Sequence, residues 1–350
     1  MSVPLIDLLA SARVVSLPLT TRFRGITTRE AVLFEGPRGW TEFSPFVEYG
    51  DTEAAAWLAA AIDFGWNDLP KPLRASIQVN ATMPAVTADE VEAVLARFPG
   101  CRTVKVKVAE PGQLLADDVA RVARVRELLG PDGRIRIDAN GGWNVDEAET
   151  AIHALTRYDL EYVEQPCESV EELAEIRTRI KYMGIPVAAD ESVRKAEDPL
   201  AVARAGAADI LVIKAQPLGG IARAVEIVAD AALPVVISSA LDTSVGLSMG
   251  AYLAASVPEL AYDCGLGTAA LLAADVTDVP LLPVGGHIEV RRVEVSEALV
   301  TQYAADPERT AWWLARIERC HAVLVAAAAA ADAETESDTE TTDADARRRR

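Results

Sequence analysis

The chain has 350 residues, half of them hydrophobic, which is enough for a sizeable core in one large domain or in a large and a small one. A net charge of -19 argues against nucleic acid or an anionic membrane as partner, and no apolar run reaches the length of a membrane span without a charge or turn, Ala-rich helical text aside. The 4 cysteines show no CxxC spacing and imply no disulfide framework, so a reducing, cytoplasmic setting is expected, and only 3 histidines are available for any histidine-based site.

The N-terminal text MSVPLIDLLASA carries Asp7 and no basic stretch, so it is not expected to be a signal peptide. Residues 1–73 mix strand-like runs (VVSLPL, EAVLFEG, WTEFSPF) with one helical segment, DTEAAAWLAAAIDFGW, and read as a small α+β unit. From residue 74 to 285 a regular rhythm follows. Eight strand-like runs recur: SIQVNA, TVKVKVA, RIRIDAN, EYVEQP, PVAADES, DILVIKA, PVVISSA and ELAYDCG. Most gaps between them hold amphipathic helical text such as ADDVARVARVRELLG, and this alternation predicts a (β/α)₈ barrel or a close relative of it. Residues 286–325 (HIEVRRVEV, then RTAWWLARIERCHAVL) are expected to return to the N-terminal unit. Residues 326–350, low in complexity and ending in four arginines, are expected to be a disordered tail.

Polar residues cluster at the ends of the runs. The second carries Lys105 and Lys107, the third ends in Asp138 and Asn140, and the fourth ends in Glu164. The fifth ends in Asp190 and Glu191 and the sixth in Lys214. Taken singly, each has a bland explanation: a strand-end Asp caps the next helix, and a strand Lys snorkels to water. Taken together, they would converge at the one mouth where all barrel strands end. Three crowded carboxylates repel one another unless a cation offsets them, and oxygen ligands without histidine or thiol suit Mg²⁺, with Mn²⁺ second. Asn140 and Glu191 would support that set from behind. A lysine beside a divalent cation can act as a base near neutral pH, which points to proton abstraction α to a carboxylate. A Schiff-base aldolase would need a lysine but no carboxylate triad, and a non-catalytic metabolite binder would need no base.

As a set, KVK, DAN, EQP, DES and IKAQPLGG resemble the enolase superfamily, and the two lysines without a nearby histidine resemble its muconate-lactonising-enzyme subgroup. That resemblance implies an α+β capping domain, formed by residues 1–73 and 286–325, on a modified (β/α)₈ TIM-like barrel. Within the subgroup, FRGITTRE, SSALDTSVG and GLGTAALLAADV resemble the o-succinylbenzoate synthase family of menaquinone biosynthesis. The likeness implies a Mg²⁺-dependent hydro-lyase with no organic cofactor. It would dehydrate 2-succinyl-6-hydroxy-2,4-cyclohexadiene-1-carboxylate, a small-molecule partner. Carried over, Lys107 would be the base, Lys214 the cation across the ring and Lys105 the support of Lys107. Asp138, Glu164 and Asp190 would hold the metal. Ser238, Ser239, Gly265, Leu266 and the cap arginine Arg24, with Arg22, would meet the substrate's carboxylates. Racemases of N-acylamino acids and dipeptide epimerases use the same two lysines and are the alternative.

Overall fold

The computed structural model describes residues 3–194 and 199–348, with side chains described for 3–193 and 199–331. Helix α1 (Leu5–Ser11) leads into an antiparallel sheet of β1 (Arg13–Phe23), β2 (Ile26–Gly36) and β3 (Gly39–Phe43), followed by helix α2 (Asp51–Trp66). The sheet is buried on both faces. Along β2, Val32 and Phe34 join a cluster with Trp57 of α2, while Ala31 and Leu33, between and beside them, join the barrel's core. Side chains that alternate along a strand thus serve two cores. Strand β2 and helix α2 cross so closely that a Cβ on Gly36 would lie 2.3 Å from the Gly65 carbonyl oxygen.

Next come β4 (Ser76–Gln78), β5 (Ala81–Met83), α3 (Val91–Leu95), β6 (Thr103–Lys107), α4 (Leu115–Leu129), β7 (Arg134–Asp138) and α5 (Val145–Leu155). They are followed by β8 (Leu160–Glu164), α6 (Val170–Ile180), β9 (Val187–Ala189), α7 (Glu191–Arg194), α8 (Ala201–Arg204), β10 (Ile210–Ile213), α9 (Ile221–Ala231), β11 (Val235–Ile237) and α10 (Ser244–Ser256). Strands β5 to β11 form one parallel sheet in chain order, the curled wall of the expected barrel. Capping boxes start two of its helices: Asn144 with Glu147 at α5, and Ser169 with Glu172 at α6. All five residues of β6 are buried, because Lys105 and Lys107 face the barrel axis and the valines between face the helices.

Two expected strands differ from their reading. SIQVNA divides: Ser76–Gln78 pairs antiparallel with β12 (His287–Glu289), and only β5, which begins at the final alanine of that run, joins the barrel. ELAYDCG forms no ladder among the described residues. The barrel closes there through single parallel bridges, Ser238 to Gly265 and Val79 to Cys264. Side chains do much of the holding: Asp263 accepts Thr103 Oγ1 at 2.6 Å and Arg134 Nη2 at 2.7 Å, and its carbonyl accepts Arg136 Nη1 at 2.7 Å.

Helices α11 (Glu297–Gln302) and α12 (Pro307–Arg348) complete the chain's elements. Trp313, Ile317 and Cys320 of α12 pack into the N-terminal unit beside Leu8, Phe43 and Trp57, and Glu30 of β2 accepts Arg309 Nη2 at 2.6 Å and Trp313 Nε1 at 2.9 Å. Of the expected disordered tail, residues 326–348 fall on the far end of α12, while residues 349–350 and the side chains from 332 on lie outside the described residues. Among the described residues no helix is long and apolar enough to cross a membrane.

Candidate active site

The strand-end residues singled out in the sequence do converge. Lys105 Nζ donates to Asp138 Oδ2 at 2.8 Å and to Glu164 Oε1 at 2.7 Å. Lys107 Nζ donates to the same Asp138 oxygen at 2.5 Å and to Asn140 Oδ1 at 2.7 Å. Across the barrel, Lys214 Nζ donates to Asp190 Oδ2 at 2.5 Å. Asn140 passes the network on, donating from Nδ2 to Glu191 Oε1 at 3.1 Å. Glu191 in turn lies 3.8 Å from Arg24 Nη2, which descends from the β1–β2 turn of the cap. Asn140 holds a left-handed backbone (φ 48°), and its N–H reaches back to Asp138 Oδ1 at 3.0 Å. A short polar side chain tolerates that conformation better than most.

All six ionisable groups at the centre are 9% exposed or less, so their mutual fields are weakly screened. Burial alone would lower the Lys105 ammonium, but Asp138 and Glu164 more than reverse that and hold it well above its ordinary value. For Lys107 burial prevails: it lies below the ordinary lysine value, with Lys105's charge adding to the drop and Asp138 opposing it. Burial would raise Asp138, yet the two lysines hold it well below the usual carboxylate range. Glu164 is pushed up to about 7 by burial, then by the neighbouring Asp138 charge.

Three lysines face three carboxyl groups, so their formal charges offset one another. Among the described residues no three carboxylate, histidine or cysteine groups stand close enough to hold a metal ion directly; lysine ammonium groups lie on Asp138, Glu164 and Asp190. The residues nonetheless fit a hard divalent cation in chemistry. Their donors are all carboxylate oxygens on three neighbouring strands, and Glu164 Oε2 is buried without a hydrogen-bond partner. A cation there would leave the centre with two positive charges, which suits an anionic substrate.

The mouth is tight. A cavity of about 30 Å³ is lined by the lysines, Asp190, Ser238, Ser239, Gly265 and the cap residues Phe23, Arg24 and Phe46. A second of about 270 Å³ adjoins it beside Arg22, Arg24, Lys107 and Asn140. Ser239 Oγ is fixed by the Gly265 carbonyl and by Thr268 Oγ1, both at 2.8 Å. The segment after ELAYDCG opens a 3₁₀ turn, Thr268–Leu271. The Gly265 N–H donates to the Ile237 carbonyl at 2.8 Å, so that amide is committed to closing the barrel. Leu266 is fully buried, its side chain against Gly250 of α10.

Gln165 and Phe46 escaped the sequence reading, whereas Phe23 belongs to the loop 22–25 expected to close over the mouth. Gln165, buried with φ 39°, accepts the Asp190 N–H at 2.9 Å and donates to Ser192 Oγ at 2.7 Å, tying the β8 and β9 ends together. Its signal was the EQP text itself. Phe23 and Phe46 roof the site, with Lys107 Nζ 5.6 Å from the Phe23 ring centre. For Phe46, nothing in an aromatic residue of a small α+β unit distinguishes a roof from a core.

Comparison with known proteins agrees with this architecture. Residues 86–294 match the enolase C-terminal domain-like family and residues 14–65 the enolase N-terminal domain-like family. The o-succinylbenzoate synthase of Mycolicibacterium smegmatis is 53% identical over 319 residues, covering 91% of this chain and 97% of that protein. That of Thermobifida fusca is 54% identical over 315 residues, 89% of this chain and 96% of its own length. Among solved structures, muconate lactonizing enzyme from Pseudomonas putida superposes with a TM-score of 0.69 at 18% identity, over 84% of this chain and 98% of that one. An N-succinyl Arg/Lys racemase from Bacillus cereus gives 0.69 at 19%, over 85% and 97%, a likeness of fold. The chain therefore belongs to the o-succinylbenzoate synthases, a lyase family of the enolase superfamily.

Proposed function

We propose that the protein dehydrates 2-succinyl-6-hydroxy-2,4-cyclohexadiene-1-carboxylate to 2-succinylbenzoate, as a Mg²⁺-dependent step of menaquinone biosynthesis in the cytoplasm. The observation that carries this is the pairing of 53% identity over nearly the whole length of a named synthase with lysines on both sides of the carboxylate row. Lys107, held low by burial, is the group able to give up its proton and take another. As the free amine it removes the proton from the carbon bearing the ring carboxylate, and the electron pair moves into that carboxylate. The pair then returns to form the new ring double bond as the carbon–oxygen bond of the hydroxyl breaks. The Lys107 ammonium supplies the proton that turns the leaving hydroxyl into water, so one residue serves both halves of a syn elimination.

Lys105, held charged by Asp138 and Glu164, raises the positive potential beside Lys107. Lys214, 2.5 Å from Asp190 on the opposite wall, faces the other side of the ring as a fixed cation. Asp138, Glu164 and Asp190 would hold Mg²⁺, which supplies electrostatic stabilisation of the doubly charged carboxylate, worth several kcal/mol. Ser238, Ser239 and Arg24 stand where a second, succinyl carboxylate would reach.

The test is the aromatic absorbance gained as the cyclohexadiene is dehydrated, followed with Mg²⁺ and then with a chelator. A fast, chelator-sensitive signal is expected. No signal from folded, metal-loaded protein would overturn the proposal, and solvent-deuterium exchange on N-acylamino acids and dipeptides would then test the racemase alternative.

A further inference from the structure

Two sequence motifs outside the catalytic set, FRGITTRE and SSALDTSVG, meet in space. Arg29 of β2 is 2% exposed and ends, from the cap side, on the barrel's β11–α10 segment. Its Nε donates to the Leu241 carbonyl at 3.0 Å and its Nη2 to the Ala240 carbonyl at 3.3 Å, while Nη2 also bonds the Ser44 carbonyl. Glu42 of β3, fully buried, takes the same segment's donors. Its Oε2 accepts the Thr243 N–H at 3.2 Å, the Thr243 hydroxyl at 2.5 Å and the Gly246 N–H at 3.0 Å. Its Oε1 accepts Ser44 Oγ at 2.5 Å. The other opening amides of α10 are satisfied without the N-terminal unit, Ser244 by Asp275 and Val245 by Thr243 Oγ1. Cap residues therefore hold carbonyls at one end of the segment and amides at the other.

The held segment is the one that lines the mouth. It carries Ser238, Ser239 and Leu241, the last in a left-handed conformation (φ 63°) that an apolar residue keeps only when its surroundings impose it. Arg29 also stands over the Phe46 ring at 4.5 Å, with Arg24 at 4.6 Å, so the clasp reaches the aromatic roof as well. At Gly246 a Cβ would lie 2.7 Å from Asp242 Cβ and 2.8 Å from the Glu42 carboxyl carbon, so the segment and the cap carboxylate both close on that backbone.

We propose that Arg29 and Glu42 are positioning residues that clamp the Ser238–Gly246 segment from the cap and so set substrate affinity without touching substrate. The proposal rests on the synthase activity for its kinetic arm only. In the full-length protein, Glu42→Gln and Arg29→Lys are compared with Glu30→Gln, which loosens α12 from the cap but leaves the segment alone. Hydrogen exchange of amides 240–247, measured without substrate, is expected to quicken about tenfold in the first two and not in the third. KM for the cyclohexadiene is expected to rise about tenfold with kcat within about twofold, the pattern of lost binding rather than lost chemistry. Arg29→Met should be worse than Arg29→Lys, which keeps one donor group. Should Glu42→Gln not fold, Glu42→Asp, which keeps the carboxylate but shortens its reach to Thr243 and Gly246, is read the same way. Unchanged exchange, or an equal rise in KM from Glu30→Gln, would overturn the clamp. A wild-type chain without synthase activity would overturn the proposed reaction, while the exchange data would still decide on the clamp.

Discussion

Lys105 and Lys107 stand two residues apart on one strand and differ in what surrounds their ammonium groups. Lys105 bonds two carboxylates, Lys107 one carboxylate and one carboxamide. That difference decides which proton is the more easily lost, and it makes a definite expectation. Lys107→Ala should lower turnover by at least about 10³-fold with unchanged circular dichroism, since in the proposed reaction one residue is both base and acid; near-normal activity would sink the assignment. The base must be neutral to act, so kcat/KM should climb as pH rises and level off below the ordinary lysine value of 10.5. A profile still rising at pH 10.5 would contradict the lowered lysine. Removing metal with a chelator should abolish activity, with recovery on adding Mg²⁺. The strand-end lysines and carboxylates were legible because they recur at one end of successive runs, a pattern solvation does not produce. Gln165 was not, because its role is to accept an N–H from a neighbouring strand, which spacing along one run cannot reveal.

Among elements, the second to seventh strands of the barrel were readable from their apolar runs, while the first run divides and the eighth forms no ladder among the described residues. ELAYDCG has strand composition, but whether its backbone finds a ladder depends on partners far away in sequence. Here cross-barrel side chains on Asp263 take over much of that work. The close crossing of β2 and α2 was equally invisible, since each glycine alone looks like a turn or an interruption. It supports a sharp prediction: Gly36→Ala sets a methyl against the backbone of Gly65, which cannot swing aside, and should cost about 3 kcal/mol in denaturant unfolding. The contact of β2 with α12 adds an electrostatic part to its apolar packing. Burial would raise the Glu30 carboxyl, but the bonds from Arg309 and Trp313 prevail and hold it below 4.5. Its stabilising effect is therefore present above pH 4.5 and is lost as pH falls through the lowered value. Glu30→Gln should cost about 2 kcal/mol at pH 7 and progressively less toward pH 3, compared by unfolding at both pH values.

For the molecule as a whole, the cap sheet shares residues with two cores, one under α2 and α12 and one continuous with the barrel. Cap and barrel should then unfold together. Tryptophan fluorescence, weighted toward Trp57 and Trp313 in the cap, and far-ultraviolet dichroism should trace one coincident transition; separated midpoints would show two independent units. The packing of α12 against the first strands has a further consequence for how the chain is made. Residues 3–66 cannot complete the cluster around Phe43 and Trp57 until residues 307–324 have been synthesised, with the whole barrel in between. A nascent chain must carry that unfinished face through most of its translation, exposed to neighbours and chaperones alike. Contacts this distant in sequence also make for slow closure, so refolding should be limited by the arrival of α12 rather than by the barrel's local βα units.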